Sequence, residues 1–214
     1  MQKGIIAALV LSLFFISQTE AQLLKSFGAK LAYTSSGQEF DYSSAGFTLN
    51  PDRRNGFGVG LYAEWLNLPI VSVVTEVDYV QRGMVMEYPM TGPESPAEQI
   101  GTIMNDNRLD YLSIPILAKA TVPMGLVSPY VIAGPRIDLL LGHNDESISY
   151  RLLYENFKKT SMGGTVGAGA QLNTILPIDL LLEFRYNFYF TDTYKTDLLK
   201  IRNNAFDVWV GVGI

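Results

Sequence analysis

Apolar and polar residues alternate along most of the chain, and the stretch DLLLEFRYNFYF at 179–190 shows the pattern best. Large apolar side chains occupy every second position from residue 182 onwards: Leu182, Phe184, Tyr186, Phe188 and Phe190. Three of the four positions between them carry polar side chains: Glu183, Arg185 and Asn187. Successive side chains of a β-strand point to opposite faces, so this period of two predicts a strand and not a helix.

Eight segments alternate in this way. The predicted strands are 25–35, 56–66, 71–83, 109–120, 130–141, 162–173, 179–190 and 205–214. Three of the links between them are short and contain proline: 66–70, 121–129 and 174–178. Four connections are long and polar: 36–55, 84–108, 142–161 and 191–204. Short turns alternating with long loops are typical of outer-membrane barrels. We therefore expect an all-β, eight-stranded antiparallel up-and-down transmembrane β-barrel of OmpX or OmpA size, with periplasmic turns and extracellular loops.

The polar faces of the predicted strands carry six acids and five bases: Lys30, Glu64, Glu76, Asp78, Arg82, Lys119, Arg136, Asp138, Glu183, Arg185 and Asp207. A soluble sandwich or lipocalin would turn these charges towards water. Their near balance favours a narrow lumen instead, because a buried charge must be paired. We expect a charge network that plugs the lumen, in which Glu183 and Arg185 pair with Lys119, Arg136, Glu76 and Asp78.

The opposite faces are predicted to meet lipid, where a basic residue near the bilayer midplane would cost about 2–4 kcal/mol. The clearest lipid-facing positions are Leu182, Phe184, Tyr186, Phe188, Val208 and Val210. Glycines fall on the inner face and leave room there for Tyr62 and Trp209. Pro115 and Pro135 lie inside predicted strands and cannot donate to a ladder, so we expect a local bulge at each.

The first residues have the composition of an export signal. A basic start at 1–3 precedes an apolar run and then small residues, which predicts a signal peptide at 1–21, cleaved before Gln22. An N-terminal membrane anchor is the alternative, but the run is shorter than the ~20 residues that a helical span needs. Residues 22–214 then form a single barrel domain. The chain has no cysteine, and its net charge of -5 argues against nucleic acid.

Four stretches carry a family resemblance: TEVDYVQRG (75–83), LDYLSIPILAKA (109–120), PYVIAGPRIDLLLG (129–142) and LLEFRYNFYFTD (181–192). Together they resemble the outer-membrane β-barrel family typified by PorT-like proteins of Bacteroidota. The resemblance implies a cell outer membrane location and, as one possible function, an accessory role in type IX protein secretion. Two positions depart from the family pattern, since Ser113 replaces an acid and Ile214 replaces a terminal aromatic residue.

Candidate chemistry is sparse. The single histidine, His143, is predicted to lie in a loop with Asp145, Ser147 and Ser149. A lipid A-modifying enzyme could use such a set at its outer rim, although an exposed loop histidine is the plainer interpretation. One histidine does not make a metal cluster, and the spacing of Asp145 and Glu146 is not that of a calcium loop. We therefore predict no catalytic residue, no cofactor and no metal.

The sequence favours a non-enzymatic barrel that acts through its extracellular loops in binding or envelope integrity. Its expected partners are outer-membrane lipid, the barrel-insertion machinery and an envelope or extracellular protein, with the barrel itself a monomer. Five aromatic residues lie in or beside the long loops: Tyr88, Tyr150, Tyr154, Phe157 and Tyr194. They could form an adhesive outer surface or belong to the aromatic belt at the headgroups.

Overall fold

A computed structural model describes residues 23–42, 46–66, 68, 70–91, 99–144, 157–173, 178–196 and 199–214. The predicted signal peptide lies outside these residues. Eight long strands are present: β1 (Leu24–Tyr42), β3 (Asp52–Trp65), β4 (Val71–Thr91), β5 (Gln99–Thr121), β6 (Val127–Asn144), β7 (Thr160–Asn173), β8 (Asp179–Tyr189) and β10 (Lys200–Gly213). Two short strands, β2 (Phe47–Leu49) and β9 (Tyr194–Lys195), lie beside β1 and β10. In the described part of the chain, no helix is long and apolar enough to cross a membrane.

The eight long strands form a closed antiparallel ring. Each pairs with the next one along the chain, and β1 closes the ring by pairing with β10 from Gly28↔Gly213 to Asp41↔Lys200. Closure leaves no long strand with an unpaired edge, which removes the main route to edge-to-edge aggregation. The predicted all-β, up-and-down antiparallel barrel is confirmed.

The two ends of the barrel differ. The turn end is the one closed by the links 66–70, 122–126 and 174–178. The loop end is the opposite one, where β4 ends at Thr91, β5 begins at Gln99 and β6 ends at Asn144. Several strands extend further towards the loop end than predicted: β1 by seven residues, to Tyr42, and β4 by eight, to Thr91. The alternation did not reveal these extensions because the inner face also carries large apolar side chains there, such as Phe40 in β1 and Met84 in β4.

The expected bulges at Pro115 and Pro135 are wrong. Pairing of β5 with β4 skips the position of Pro115, and pairing with β6 skips Ile116, which lies opposite Pro135. The register is unchanged on both sides of each interruption. Each proline therefore lies at a short gap in the pairing with one neighbouring strand, where its lack of an N–H costs no hydrogen bond. It stays paired with the other neighbour, Pro115 with Arg136 and Pro135 with Gly164. The register shift between β5 and β6 lies instead between Asp110 and Tyr111.

Candidate functional site in the barrel lumen

The structure places all eleven charged residues of the predicted network inside the barrel. None is more than 4% exposed. They come from seven of the eight long strands, and ten of them form three clusters that follow one another from the turn end towards the loop end. Because a buried unpaired charge is strongly destabilising, the geometry of each cluster decides whether the lumen is stable.

The cluster nearest the turn end surrounds Glu64. Its carboxylate accepts hydrogen bonds from Lys25 Nζ at 2.6 Å, Lys119 Nζ at 2.8 Å and Ser72 Oγ at 2.7 Å. Lys119 also donates to Gln171 Oε1 at 3.1 Å. The side chain of Lys25 is 28% exposed, so this cluster reaches the turn-end opening of the barrel.

The central cluster pairs two acids with two bases. Glu76 accepts from Lys30 Nζ at 2.7 Å and from two guanidinium nitrogens of Arg185 at 2.6 and 2.9 Å. Glu183 accepts from Lys30 at 3.0 Å, from Arg185 Nε at 2.8 Å and from the hydroxyl of Tyr130 at 2.7 Å. Each base therefore bridges both acids, and the four charges cancel.

The third cluster lies towards the loop end and contains two further ion pairs. Arg82 binds both carboxylate oxygens of Asp207, at 2.5 and 2.9 Å, and the amide of Asn187 donates to Asp207 at 2.5 Å. Arg136 donates to Asp138 at 3.0 Å. The bidentate geometry is the strongest form of an arginine–carboxylate pair.

Of the four partners expected for Glu183 and Arg185, Glu76 is confirmed, because it binds Arg185, but the two expected bases are wrong. Lys119 and Arg136 bind Glu64 and Asp138 instead. The alternation places a side chain on the inner face but does not give its height along the barrel, which depends on the stagger between strands. Lys30 lies at the height of Glu183, although the two residues are far apart in sequence and their strands, β1 and β8, are separated by β10. The residues around each of them in the sequence do not indicate this pairing.

Missing side chains on the inner face make room for large ones, as the glycine pattern indicated. A Cβ at Gly58 would lie 3.2 Å from the ring of Trp209, and one at Gly213 would overlap the hydroxyl of Tyr62. Tyr62 in turn lies under the ammonium group of Lys30, with Nζ 4.6 Å from the ring centre. Glycine and aromatic positions on the inner faces are therefore complementary in size.

A cavity of about 10 Å³ lies between the central cluster and the third cluster, which is room for about one water molecule. Its lining includes Asp78, Arg82, Arg136 and Trp209. Each of these four side chains has one buried polar atom without a hydrogen-bond partner in the structure: Asp78 Oδ1, Arg82 Nε, Arg136 Nη2 and Trp209 Nε1. The space is therefore polar and far narrower than a diffusion channel.

Beyond the third cluster the barrel interior contains an apolar core beside buried polar side chains such as Gln38, Asn107 and Asn203. Its fully buried side chains include Phe40, Met84, Leu109, Phe157 and Ile201, with Tyr42, Met86, Leu140, Tyr194 and Leu199 packed against them. We call this group the loop-end core. Sequence reasoning missed it, and the signal that could have revealed it is the apolar pair Met84 and Met86 on the inner face directly after Arg82 in β4.

The loop-end core changes the interpretation of the aromatic residues. Phe157 is buried in it, with its ring centre 6.0 Å from that of Tyr194, so Phe157 belongs neither to an adhesive surface nor to an aromatic belt. Tyr88 is exposed and lies in β4. Tyr150 and Tyr154 lie outside the described residues.

The predicted loop position of His143 is wrong, because it is part of β6 and lies opposite Leu109 in β5. Its proposed companions Asp145, Ser147 and Ser149 lie outside the described residues. Among the described residues, no three His, Asp or Glu side chains converge to hold a metal ion.

The positions predicted to face lipid lie on the outer surface of the barrel. Leu182, Phe184, Tyr186 and Val210 are exposed, whereas Phe188 and Val208 are half-buried. The rings of Phe188 and Phe190 pack edge to face, with centres 5.3 Å apart. The outer surface is therefore apolar around the same heights at which the inner one is charged.

Solved structures similar to this chain are membrane barrels of low sequence identity. Neisserial surface protein A shows 19% identity, covers 87% of this chain and 96% of its own, and has a TM-score of 0.47. Ail of Yersinia pestis shows 13% identity, covers 88% and 98%, and has a TM-score of 0.41. The outer membrane protease OmpT of Escherichia coli shows 8% identity, covers 92% and 98%, and has a TM-score of 0.45.

No curated protein matches the sequence significantly. A family model described as the outer membrane protein beta-barrel domain matches residues 17–195, which is most of the chain. The closed ring of eight strands, the charged interior and the apolar exterior agree with this match. The chain belongs to the outer membrane protein beta-barrel domain family.

Proposed function

We propose that the protein is a non-enzymatic, non-conducting barrel of the outer membrane that acts by contact through its loop end. Family membership supports the location, and the turn end then faces the periplasm as in other bacterial barrels. The observation that carries the proposal is the filled interior. Three ion clusters are followed by the loop-end core, and the cavity between the clusters has a volume of only about 10 Å³.

A filled interior leaves the loop end as the surface on which specificity can act. Loops on a rigid scaffold usually carry recognition, because they can change without altering the wall that holds them. Here the wall itself extends to the loop end, since β1, β4 and β5 continue well past their predicted limits. The strands that bound the connection 145–156 thus belong to a closed rim.

Conductance in a planar lipid bilayer tests whether the barrel is closed. We expect no steady channel from the purified protein, with a porin as the positive control for insertion and detection. Heat-modifiable gel mobility of the same preparation shows that the barrel is folded. A steady ohmic conductance from folded protein would contradict the proposal, because it requires a continuous water path past Arg82 and Met84.

Binding through the loop end is tested by pull-down from solubilised envelopes. A variant in which a short Gly-Ser linker replaces residues 145–156 should lose partners that the wild type retains. The matched control makes Val122, Met124 and Leu126 at the turn end polar and should retain them, since these exposed side chains lie at the opposite end. Equal partner sets for the two variants would argue against a loop-end contact.

Two rival functions predict different results. The resemblance of Tyr111, Leu112, Ile114, Pro115 and Lys119 to the PorT-like motif supports an accessory role in type IX secretion, in which case deletion of the gene should block protein export. A lipid A-modifying enzyme predicts instead that His143→Ala abolishes a change in lipid A that the wild type produces. Our proposal expects normal protein export after deletion of the gene. It also expects the same lipid A in cells with the wild type and in cells with His143→Ala.

A further inference from the structure

Arg53 lies on the outer surface directly above the apolar band. On β10 the outward positions are apolar from Ile214 up to Phe206 and then become polar at Asn204. Arg53 of β3 reaches across β1 at this boundary, and its guanidinium carbon lies 5.1 Å from the centre of the Phe206 ring. Gly37 leaves room for this crossing, because a Cβ there would lie 3.4 Å from Arg53 Nη1.

The positive charge of Arg53 is held in place by neutral groups. Nε donates to Ser35 Oγ at 3.2 Å, Nη1 donates to Asn204 Oδ1 at 2.7 Å, and Nη2 donates to the carbonyl oxygen of Ser35. None of these acceptors carries a charge. Arg202 on β10 differs, because it is paired with Asp192 at 2.7 Å. Arg53 is thus an oriented cation with donor capacity left over, since a guanidinium has five N–H groups.

An apolar depression lies beside the same Phe206 ring, on the wall formed by β7, β8 and β10. It has a volume of about 310 Å³ and is lined by Val166, Phe184, Tyr186, Phe206 and Val208. The rings of Tyr186 and Phe206 are 4.7 Å apart and form its upper edge. Short side chains beside large rings create the depression, and Phe206 belongs both to it and to the contact with Arg53.

We propose that this surface binds a phosphorylated membrane lipid of the lipid A class, with one acyl chain in the depression and a phosphate on Arg53. The proposal rests on the outer-membrane location proposed above. An apolar chain suits the depression, and the oriented guanidinium suits a phosphate, which it can bind through two parallel N–H groups. The position of Arg53 at the upper limit of the apolar band matches the position of a headgroup above its acyl chains.

The thermal unfolding midpoint of the purified barrel in zwitterionic detergent, read by heat-modifiable gel mobility, tests the site. Bisphosphorylated lipid A should raise the midpoint of the wild type in a saturable way. Arg53→Gln should weaken the apparent affinity roughly 10- to 100-fold, the range expected for the loss of a charge-assisted hydrogen bond. Arg202→Gln is the matched control and should retain wild-type affinity. If Arg53→Gln fails to fold, Arg53→Lys keeps the charge and should bind with intermediate affinity.

Two further variants separate the acyl chain from the phosphate. Val166→Trp fills the depression and should weaken binding severalfold, whereas Val77→Trp on β4, at the opposite outer wall, should not. Equal affinities of Arg53→Gln and wild type, or equal losses in Arg53→Gln and Arg202→Gln, would overturn the proposal. So would equal shifts from dephosphorylated lipid A, or from inorganic phosphate alone. Wild-type protein without heat-modifiable mobility would refute the outer-membrane barrel itself, whereas a heat-modifiable barrel with no response to lipid A refutes only this site.

Discussion

Arg185→Met removes the central base of the lumen and keeps most of its volume. Arg185 binds Glu76 at 2.6 and 2.9 Å and Glu183 at 2.8 Å, and its guanidinium carbon lies 5.2 Å from the centre of the Trp209 ring. In the variant, Lys30 is the only base left between Glu76 and Glu183. One buried negative charge then lacks a counterion.

The magnitude follows from that uncompensated charge. Breaking a buried ion pair by removing one partner costs about 3–5 kcal/mol, so we expect Arg185→Met to lower the free energy of unfolding by that amount. Arg202→Met is the control, because its ion pair with Asp192 is solvent-exposed, with the arginine side chain 54% exposed. Exposed pairs contribute about 0.2–1 kcal/mol, so the control should lose little.

A double variant isolates the charge from the packing. Glu76→Gln together with Arg185→Met leaves Glu183 and Lys30, which balance each other. We expect the double variant to be more stable than Arg185→Met alone, with a coupling of about 0.5–3 kcal/mol.

The assay is equilibrium unfolding by urea in lipid vesicles, followed by the fluorescence of the two tryptophans and by heat-modifiable gel mobility. Equal m-values are required before the free energies are compared. If Arg185→Met and Arg202→Met lose the same small amount, the central cluster does not hold the lumen together. If the double variant is less stable than Arg185→Met, the uncompensated charge is not the cause of the loss, whatever the size of the loss in the single variant.

Three other changes test the wall, the glycines and the loop-end core. Phe184→Arg on the outer surface should lower the free energy of unfolding in vesicles by about 2–4 kcal/mol, whereas Phe184→Leu should change it little in the same urea titration. Gly213→Ala should cost about 1–3 kcal/mol through overlap with Tyr62, and adding Tyr62→Phe should recover part of that loss in the unfolding midpoint. Leu109→Ala should cost about 2–5 kcal/mol because the site is fully buried, measured against the exposed control Leu141→Ala.

Strand number and facing were predictable from the sequence because both depend on local alternation. In β8, the sequence alone separates Phe184 from Arg185, and the structure places the first outside and the second inside. Alternation needs no knowledge of the neighbouring strand. The same holds for the glycines, because their inner position follows from an even spacing from the inward-facing polar residues of the same strand.

Pairing partners were not predictable because they depend on strand stagger. Lys30 and Glu183 lie at the same height only because β1 pairs with β10 and β10 with β8 in particular registers. A shift of two residues in either register would keep every side chain on its face and change most ion pairs. Sequence patterns therefore give the members of the network but not its connections.

The strand extensions were missed for a different reason, which is that the alternation inverts along single strands. On β10, Phe206 is apolar and faces outward beside the inward Asp207, whereas Arg202 faces outward beside the inward Ile201. A wall in lipid needs apolar side chains outside and paired charges inside, while a wall in water needs the reverse. The inversion between 202 and 206 therefore marks the level at which the surroundings of the wall change from apolar to aqueous. Arg53 lies at this level, which is the physical reason to expect a lipid headgroup there.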